Sequence, residues 1–538
     1  MATGAVSAGE GEGVTTAPPH AARSSTSASA VGLTIPRYRH GYASAVAARA
    51  ALIIVALLLS IAPRPALALS ETCEPGRPAI STVYLPNVTR TLGGKDGWDT
   101  PFVVQNVGDT PTEVDVSFYR FSDGSLVVCH RVLQLAPQSS FAEIPNYDND
   151  LFDDTQYAVV LRAFDSTIVA VVNETRGAGD MTQSSSYVGV SSGARRVYLP
   201  NVTRHFYGYG VPFIVQNIGT QLSSVTAHFE SFDGNQQYNE SRLVMPSRST
   251  VFDPDAIAAL KDGTQYSVVV TSDQPVAVVA NGHNEAVGPV AYAHNGLSVA
   301  SPGLFAPYVA RSGGSVRDDS PIVVQNVGIQ DVDVDLKFVP LGATDPAGQA
   351  VTFKLLAIAS LSSRVFDPRF SAKSGALCVA PSADCLPSGE YSLTLSANGL
   401  IAAIVLPTSP TTAAAYVAQP DVNVSSKIFL PNITRNLGGS AGWNTPFSLQ
   451  SMNATNAILQ WRRLSDGKVV KTESRRLVPG AAVWIDPRTV DGLTDDTIYS
   501  VVIQGEVAGS GSGRITAVVY ERAAGGDSAM IYEGFPGF

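Results

Sequence analysis

The sequence predicts an all-β fold, organised as a tandem array of four antiparallel β-sandwich domains. One stretch, VYLPNVTRTLGGKDGWDTPFVVQNVG at residues 83–108, recurs in recognisable form near residues 197, 304 and 428. The repeat length is about 110 residues, the size of one small sandwich domain. Within each copy, short strand-like segments and turn residues alternate at regular spacing without a helical period, which is typical of antiparallel sandwiches.

The predicted organisation is an N-terminal lead and signal segment, residues 1–68, followed by four domains that we call repeats 1 to 4. Their predicted boundaries are 80–192, 195–300, 304–420 and 427–535. Repeat 3 is divergent, because its opening stretch departs most from the other copies. Neighbouring repeats are joined by short linkers, so we expect them to unfold almost independently.

The strand after each opening stretch alternates apolar and polar residues. Repeat 3 reads VDVDLKF from Val332, which places every second side chain on one face of a half-buried strand. In the other three repeats an Asp-Gly pair follows this strand, and this pair accepts the positive φ of a tight hairpin turn. Each repeat therefore continues as a hairpin with one face in the core and one in water.

The most specific local motif is Asp-x-Thr-x-Tyr at the start of an apolar strand. Repeats 1, 2 and 4 contain it as LFDDTQY, LKDGTQY and LTDDTIY, whereas repeat 3 keeps only SGEY. In immunoglobulin-like sandwiches a Tyr at this corner bonds back to upstream backbone. The predicted structural corner residues are Tyr157, Tyr266, Tyr391 and Tyr499.

These features together resemble bacterial extracellular immunoglobulin-like repeats, with the cell-adhesion-related (CARDB-like) group as the nearest. The resemblance rests on an N-x-G turn after the second strand, the F-Y-x-x-x-D-G stretch, a Pro before the next strand and the corner motif. It covers all four repeats. It implies immunoglobulin-like domains and a non-enzymatic role at a cell surface or in the extracellular space, by analogy of fold.

The N-terminal segment is predicted to be an export signal. Arg37, Arg39 and Arg49 precede a 13-residue apolar run at 50–62, and the small residues of PRPALALS follow it. The run is short for a membrane span. We therefore expect cleavage near residue 69 and a secreted or cell-surface protein. An uncleaved N-terminal segment is the alternative, and would provide the protein's link to a membrane.

The four cysteines predict two disulfides, because an even count in an exported protein indicates paired thiols. Cys378 and Cys385 flank a short loop in repeat 3 and are expected to pair. Cys73 would then join the N-terminal lead to Cys129 in repeat 1. A zinc site is the competing interpretation, but no C-x-x-C spacing supports it, so no metal is expected.

No catalytic set of residues is evident, and we expect neither an enzyme nor a cofactor. The sequence lacks H-E-x-x-H and phosphate-loop motifs. It has 36 Lys and Arg against 46 Asp and Glu, a formal net charge of −10. Nucleic acid is not an expected partner, since its binding needs clustered basic residues. Calcium at Asp153–Asp154 or Asp495–Asp496 is weighed against a structural role in the corner motif.

Aromatic residues in the Gly-rich opening loops are the best candidates for a binding site. They are Trp98 in repeat 1, Trp443 in repeat 4, and Phe206, Tyr207 and Tyr209 in repeat 2. Flat aromatic rings in such loops could stack on sugar rings or contact a protein partner. The alternative is that each Trp covers the open end of its own sandwich, in keeping with the usual burial of Trp.

Three functions are compatible with these observations. The first is a non-catalytic, secreted or cell-surface repeat protein with a structural or adhesive role. The second is a carbohydrate-binding protein that uses the aromatic loops. The third is a secreted hydrolase accessory protein. It has the least support, because no nucleophile and base can be aligned. The expected partner is a cell-surface or extracellular protein or glycan.

Overall fold

The computed structural model describes residues 69–70, 73, 76–177, 183–284, 289–312, 318–380, 382–507 and 511–537. These residues belong to one compact unit, Ala45–Phe538. The predicted export signal at residues 1–68 lies outside the described residues. Among the residues described, no helix is both long enough and apolar enough to cross a membrane.

Repeat 1 is a sandwich of two antiparallel sheets, ordered β1-β5-β4-β7-β2 and β6-β3-β8-β9. Its strands are β1 (Leu69–Ser70), β2 (Ser81–Arg90), β3 (Phe102–Asn106), β4 (Thr112–Arg120), β5 (Leu126–Leu135), β6 (Ser140–Glu143), β7 (Thr155–Ala163), β8 (Ile168–Arg176) and β9 (Gln183–Val188). In the first sheet β4 lies between β5 and β7, and the first long strand, β2, lies beside β7 at the edge. In the second sheet β3 lies between β6 and β8.

Repeats 2 and 3 have the same layers, but one long strand passes through both sheets and joins them. The strands of repeat 2 are β10 (Ala194–Arg204), β11 (Tyr209–Gly210), β12 (Phe213–Asn217), β13 (Ser223–Ser231), β14 (Gln237–Val244), β15 (Ser249–Phe252), β16 (Thr264–Asn284) and β17 (Val290–Asn295). The strands of repeat 3 are β18 (Ser301–Arg311), β19 (Ile322–Asn326), β20 (Val332–Pro340), β21 (Val351–Ile358), β22 (Ser363–Phe366), β23 (Gly389–Val405), β24 (Tyr416–Val417) and β25 (Gln419–Pro420). The long strands β16 and β23 each replace the consecutive pair β7 and β8.

Repeat 4 repeats the two-sheet arrangement of repeat 1, with orders β29-β28-β31-β26-β34 and β30-β27-β32-β33. Its strands are β26 (Lys427–Arg435), β27 (Phe447–Ser451), β28 (Thr455–Arg463), β29 (Val469–Leu477), β30 (Ala482–Ile485), β31 (Thr497–Glu506), β32 (Ile515–Arg522), β33 (Ala529–Glu533) and β34 (Phe535–Pro536). The helices of the described residues are single turns: the α-helix Pro346–Gln349 and the 3-10 helices Pro145–Tyr147, Pro254–Ala256, Asp421–Asn423 and Pro487–Thr489. The predicted all-β repeat fold is confirmed.

The predicted alternation is visible in the burial of the strands. Along β13, Val225, Ala227 and Phe229 are fully buried, while the residues between them are partly exposed. The opening stretch forms the first long strand of each repeat, interrupted by a β-bulge at its Pro and the residue after it, between Leu85 and Val88 in repeat 1 and between Ala306 and Val309 in repeat 3. The bulge leaves backbone groups without a ladder partner, so a side chain is needed to bond them.

A buried Tyr on the closing strand supplies this bond. In repeat 1 the Tyr187 hydroxyl donates to the carbonyl of Asn87 over 2.6 Å and accepts from its N–H over 3.2 Å. Tyr416 bonds both backbone groups of Tyr308 in the same way, and Tyr532 those of Asn432. The Leu-Pro-Asn opening and the closing Tyr therefore act as one unit, although they lie about a hundred residues apart.

The four repeats share cores and close into a ring. The core of each repeat includes residues of the next one. Repeat 2 contributes Ile214, Val279 and Ala293 to the core of repeat 1, and repeat 3 contributes Val323, Ile404 and Ala415 to that of repeat 2. Repeat 4 contributes Val518, Tyr520 and Ile531 to the core of repeat 3, and repeat 1 contributes Val107, Val169 and Val171 to that of repeat 4. The second sheet of each repeat thus packs its outer face on the preceding repeat. The expectation of nearly independent repeats is wrong, because these head-to-tail contacts close on themselves.

Candidate functional site

The opening loops of repeats 1, 2 and 4 fold back on themselves before the second strand begins. In repeat 1 the backbone groups of Leu92 and Trp98 exchange two hydrogen bonds of 2.9 and 2.8 Å, and Leu437 and Trp443 do the same in repeat 4. Phe206 and Tyr209 form the corresponding bridge in repeat 2. The predicted aromatic residues therefore occupy equivalent places, with Tyr209 at the position of the two Trp residues.

The aromatic side chains have different surroundings. Trp98 is half-buried, and its ring centroid lies 5.2 Å from that of His283 in repeat 2, so it covers the junction between repeats. Tyr209 is half-buried against Tyr292. Phe206 is half-buried edge-to-face with Tyr207, which is 80% exposed. Trp443 is also half-buried, in repeat 4. Tyr207 is thus the one of these five rings that is largely open to solvent.

The acidic pairs of the corner motif hold the opening loops. Asp154 Oδ1 accepts from the N–H of Gly93 over 2.8 Å, and Asp153 pairs with Arg90 at 2.9 Å. In repeat 4 the same roles fall to Asp496 with Gly438 and to Asp495 with Arg435. The carboxylates considered as calcium ligands are therefore engaged with the protein's own N–H groups and guanidinium groups.

The corner tyrosines reach back to backbone that precedes them. The hydroxyl of Tyr157 accepts from the N–H of Phe152 over 2.7 Å and donates to its carbonyl over 3.2 Å. Tyr499 bonds Thr494 in the same way, Tyr266 accepts from the N–H of Lys261, and Tyr391 donates to Pro387 over 2.7 Å. All four rings are buried. In repeat 2 the hydroxyl also donates to Gln236.

We expect Tyr266→Phe to lower the free energy of unfolding by about 1 kcal/mol, because it removes hydrogen bonds. Tyr266→Ala should cost about 3 kcal/mol, since a buried ring also leaves a cavity. Denaturant unfolding of the whole chain measures both, because the core of repeat 2 includes residues of repeat 3. Wild-type stability in both variants would contradict a structural role for the corner.

Two disulfides join the predicted cysteines. Cys73 pairs with Cys129, with 6.0 Å between Cα atoms, and Cys378 pairs with Cys385, with 5.9 Å. Two structural disulfides are typical of a protein that matures in an oxidising compartment. The first ties the N-terminal lead to β5, and the second closes a short loop of repeat 3.

Two clusters of the described residues could offer three ligand atoms to a metal ion. In the first, the two sulfurs of Cys73 and Cys129 are joined in a disulfide, so they are not thiolate ligands. In the second, His130 Nε2 lies 2.8 Å from Asp148 Oδ2, with Asp150 nearby. Since the imidazole and the carboxylate bond each other, this cluster is explained without an ion.

Buried carboxyl groups join the repeats, and sequence analysis did not identify them. Glu174 of repeat 1 accepts from Asn87 over 2.7 Å, from Ser185 over 2.6 Å and from Asn281 of repeat 2 over 2.5 Å. Glu521, its equivalent in repeat 4, accepts from Asn432 and from Asn173 of repeat 1. Burial raises the pKa of Glu174, and it raises the pKa of Glu521 to about 8.

Asp527 of repeat 4 contacts all three other repeats. Its carboxylate accepts from the N–H of Ala291 in repeat 2 over 2.6 Å and from that of Ala413 in repeat 3 over 2.9 Å. The N–H of Ser184 in repeat 1 lies 3.4 Å away. Asp527 is 1% exposed, and burial raises its pKa to about 7. Its position identifies it as the point where the closing strands of the ring meet.

A cleft of about 550 Å³ lies beside the opening loop of repeat 2. Its lining residues are His205, Gly208, Gly210, Pro212, Asp253, Asp255 and His283. His205 lies 3.4 Å from Asp255 and 3.0 Å from Asp262. Burial raises the pKa of Asp255, while Arg204 and His205 lower that of Asp262. The cleft therefore combines carboxylates and imidazoles with neighbouring aromatic rings.

Comparison with known proteins gives no family and one weak structural similarity. No family model matches the chain, and no curated protein matches it significantly. Among solved structures, the chain is similar to one described as a tetra-tandem repeat in the extending region of a large adhesion protein. The two share 11% identity, over 81% of this chain and 94% of that one, with a TM-score of 0.11.

Proposed function

We propose that this is a non-catalytic, secreted or cell-surface protein with a structural or adhesive role. Its four repeats form one compact unit, whose opening loops would contact an extracellular protein or glycan. The observation that carries the proposal is the use of the buried ionisable groups. Glu174, Glu521 and Asp527 accept hydrogen bonds from amide groups across junctions between repeats. This is what a scaffold requires, whereas an active site needs such groups exposed to a substrate.

The proposal includes export and an immunoglobulin-related origin of the repeats. The two disulfides support maturation in an oxidising compartment. The neighbouring strands β3/β6 and β4/β7 match the B/E and C/F pairs of an immunoglobulin sandwich, and together with the corner tyrosines they support this relation. We do not include nucleic acid among the partners, because the net charge is −10.

The test is binding of purified residues 69–538 to whole bacterial cells and to cell-wall fractions. We expect a retained fraction that falls several-fold in Tyr207→Ala, since this ring is the most exposed aromatic of the opening loops. Tyr147→Ala is the matched control, because Tyr147 is also exposed but lies in the turn after β6. Equal retention of both variants, or enzymatic shortening of the bound polymer, would contradict the proposal.

A further inference from the structure

We propose that the cleft beside Gly210 binds one or two sugar residues of a neutral glycan. The inference rests on the proposed extracellular binding function and specifies its ligand class. Four observations carry it. Of three equivalent loops, the one in repeat 2 alone has no side chain at this position, and polar groups are exposed as a result. Aromatic rings lie beside these polar groups, and the cleft has the volume of a small-molecule site.

The missing side chain is evident when the sequences of the loops are aligned. The segments WDTPF, WNTPF and YGVPF align, so Gly210 takes the position of Asp99 in repeat 1 and of Asn444 in repeat 4. Asn444 fills its site and donates to Asp486 Oδ1 over 2.9 Å. Asp99 is also buried, at 8% exposure. Repeat 2 thus has the equivalent loop, but no side chain fills this site.

The backbone does not require glycine at this position. The φ angle of Gly210 lies outside the left-handed region that favours glycine. A Cβ there would lie 2.5 Å from Asp255 Oδ2. Glycine therefore allows the Asp255 carboxylate to extend into the cleft, and any larger residue would displace it. The substitution changes what the loop can contact rather than how the loop folds.

The exposed polar groups suit hydroxyl groups. Asp255 has a side chain 35% exposed and Asp253 lies beside it, so their carboxylates can accept hydrogen bonds from sugar hydroxyls. The imidazole of His205 can donate or accept according to its tautomer. Two carboxylates and an imidazole that line one cleft can bond several adjacent hydroxyls, which is a feature of sugars rather than of apolar ligands.

Aromatic rings that neighbour lining residues of the cleft provide the second half of sugar recognition. Tyr207 is 80% exposed and precedes the lining residue Gly208. The ring of Trp98 packs 5.2 Å from that of His283, another lining residue. Sugar rings present apolar C–H faces that stack on such surfaces while their hydroxyl edges bond polar groups. The cleft thus offers both kinds of contact within one opening loop and its junction.

The volume separates this proposal from a metal site. Small-molecule sites are typically about 300–1,000 Å³, and the cleft, at about 550 Å³, falls within this range. An ion with its ligands needs far less space, and its ligand atoms must converge within a few ångströms. The clusters of described residues that meet this condition lie elsewhere, in repeat 1.

The test uses saturation-transfer NMR of residues 69–538 with glucose, galactose, mannose and N-acetylglucosamine, followed by a glycan array. We expect at least one sugar to receive saturation. Gly210→Asn should abolish the signal, because the new side chain can donate to Asp253 as Asn444 does to Asp486. This variant should melt at or above the wild-type temperature. Trp98→Ala should weaken binding at least several-fold.

Trp443→Ala is the matched control, because Trp443 has the same loop position in repeat 4, where Asn444 fills the site. It should bind sugars like the wild type. No sugar or array signal, or a signal that Gly210→Asn leaves intact, would overturn the proposal. So would binding of Zn²⁺ or Ca²⁺ alone that Gly210→Asn removes while sugars do not bind. Continued attachment of Gly210→Asn to cells would then leave the adhesive role standing.

Discussion

Replacing Asp527 by Ala should lower the free energy of unfolding by about 4 kcal/mol. The carboxylate accepts from buried N–H groups of Ala291 and Ala413 and lies near that of Ser184. Each buried donor left without an acceptor costs about 1–3 kcal/mol. These donors belong to three different repeats, so the loss weakens the junctions at which the ring closes. Denaturant unfolding of the whole chain measures the effect.

Two comparisons separate this effect from the removal of any acidic residue. Asp527→Asn should recover only part of the stability, because its amide oxygen can replace one acceptor while its NH₂ group faces a donor. Asp491→Ala should change stability by less than about 0.5 kcal/mol, since Asp491 is an exposed residue of the same repeat. If Asp527→Ala unfolds like Asp491→Ala, the central junction does not depend on this carboxylate.

The sequence allowed the repeats and their strands to be predicted because both depend on local signals. Alternation along VDVDLKF, the Asp-Gly turns and the Asp-x-Thr-x-Tyr corner each act within a few residues. The corner geometry at Tyr157 illustrates this, since its partner Phe152 is five residues away. Closed contacts between repeats depend instead on which sheet face remains uncovered, and no single repeat determines that.

A signal for the ring was nevertheless present in the central strands. IVAVV of β8 is apolar at every position, and such runs indicate a strand buried on both faces. Ile168, Ala170 and Val172 belong to the core of repeat 1, while Val169 and Val171 belong to that of repeat 4. A strand in a freestanding sandwich would have alternated. The continuous apolar run therefore indicates that both faces of the strand are buried.

The candidate cleft depends on a difference between repeats rather than on a motif. Trp98 and Trp443 were identified because aromatic residues in Gly-rich loops are conspicuous, yet both are half-buried. The more informative position is the next one, where Asp99 and Asn444 are replaced by Gly210. The other repeats show which side chain to expect at a given position. A repeat that has a smaller residue there has room for a ligand at that position.

The ring should also be less stable in alkaline than in neutral solution. Burial raises the pKa of Asp527 and of Glu533 to about 7 and that of Glu521 to about 8. In the unfolded chain these carboxyls lose their protons near pH 4. Between the unfolded and folded pKa values the folded state therefore binds more protons, so stability falls as pH rises. The fall ends once pH exceeds the folded values.

Comparing about pH 6.5 with about pH 8.5 isolates this effect, and we expect a loss of about 3 kcal/mol. Buried His294, whose pKa is lowered to about 4, acts in the opposite direction but only below its unfolded value near 6.5.

Glu521→Gln keeps an acceptor oxygen for Asn432 or Asn173 and removes the highest of the raised pKa values. It should therefore lose less stability than the wild type between these two pH values. Denaturant unfolding at both pH values gives the answer. A wild-type chain equally stable at both, or a Glu521→Gln chain with the full pH dependence, would show that these carboxyls do not link the junctions to pH.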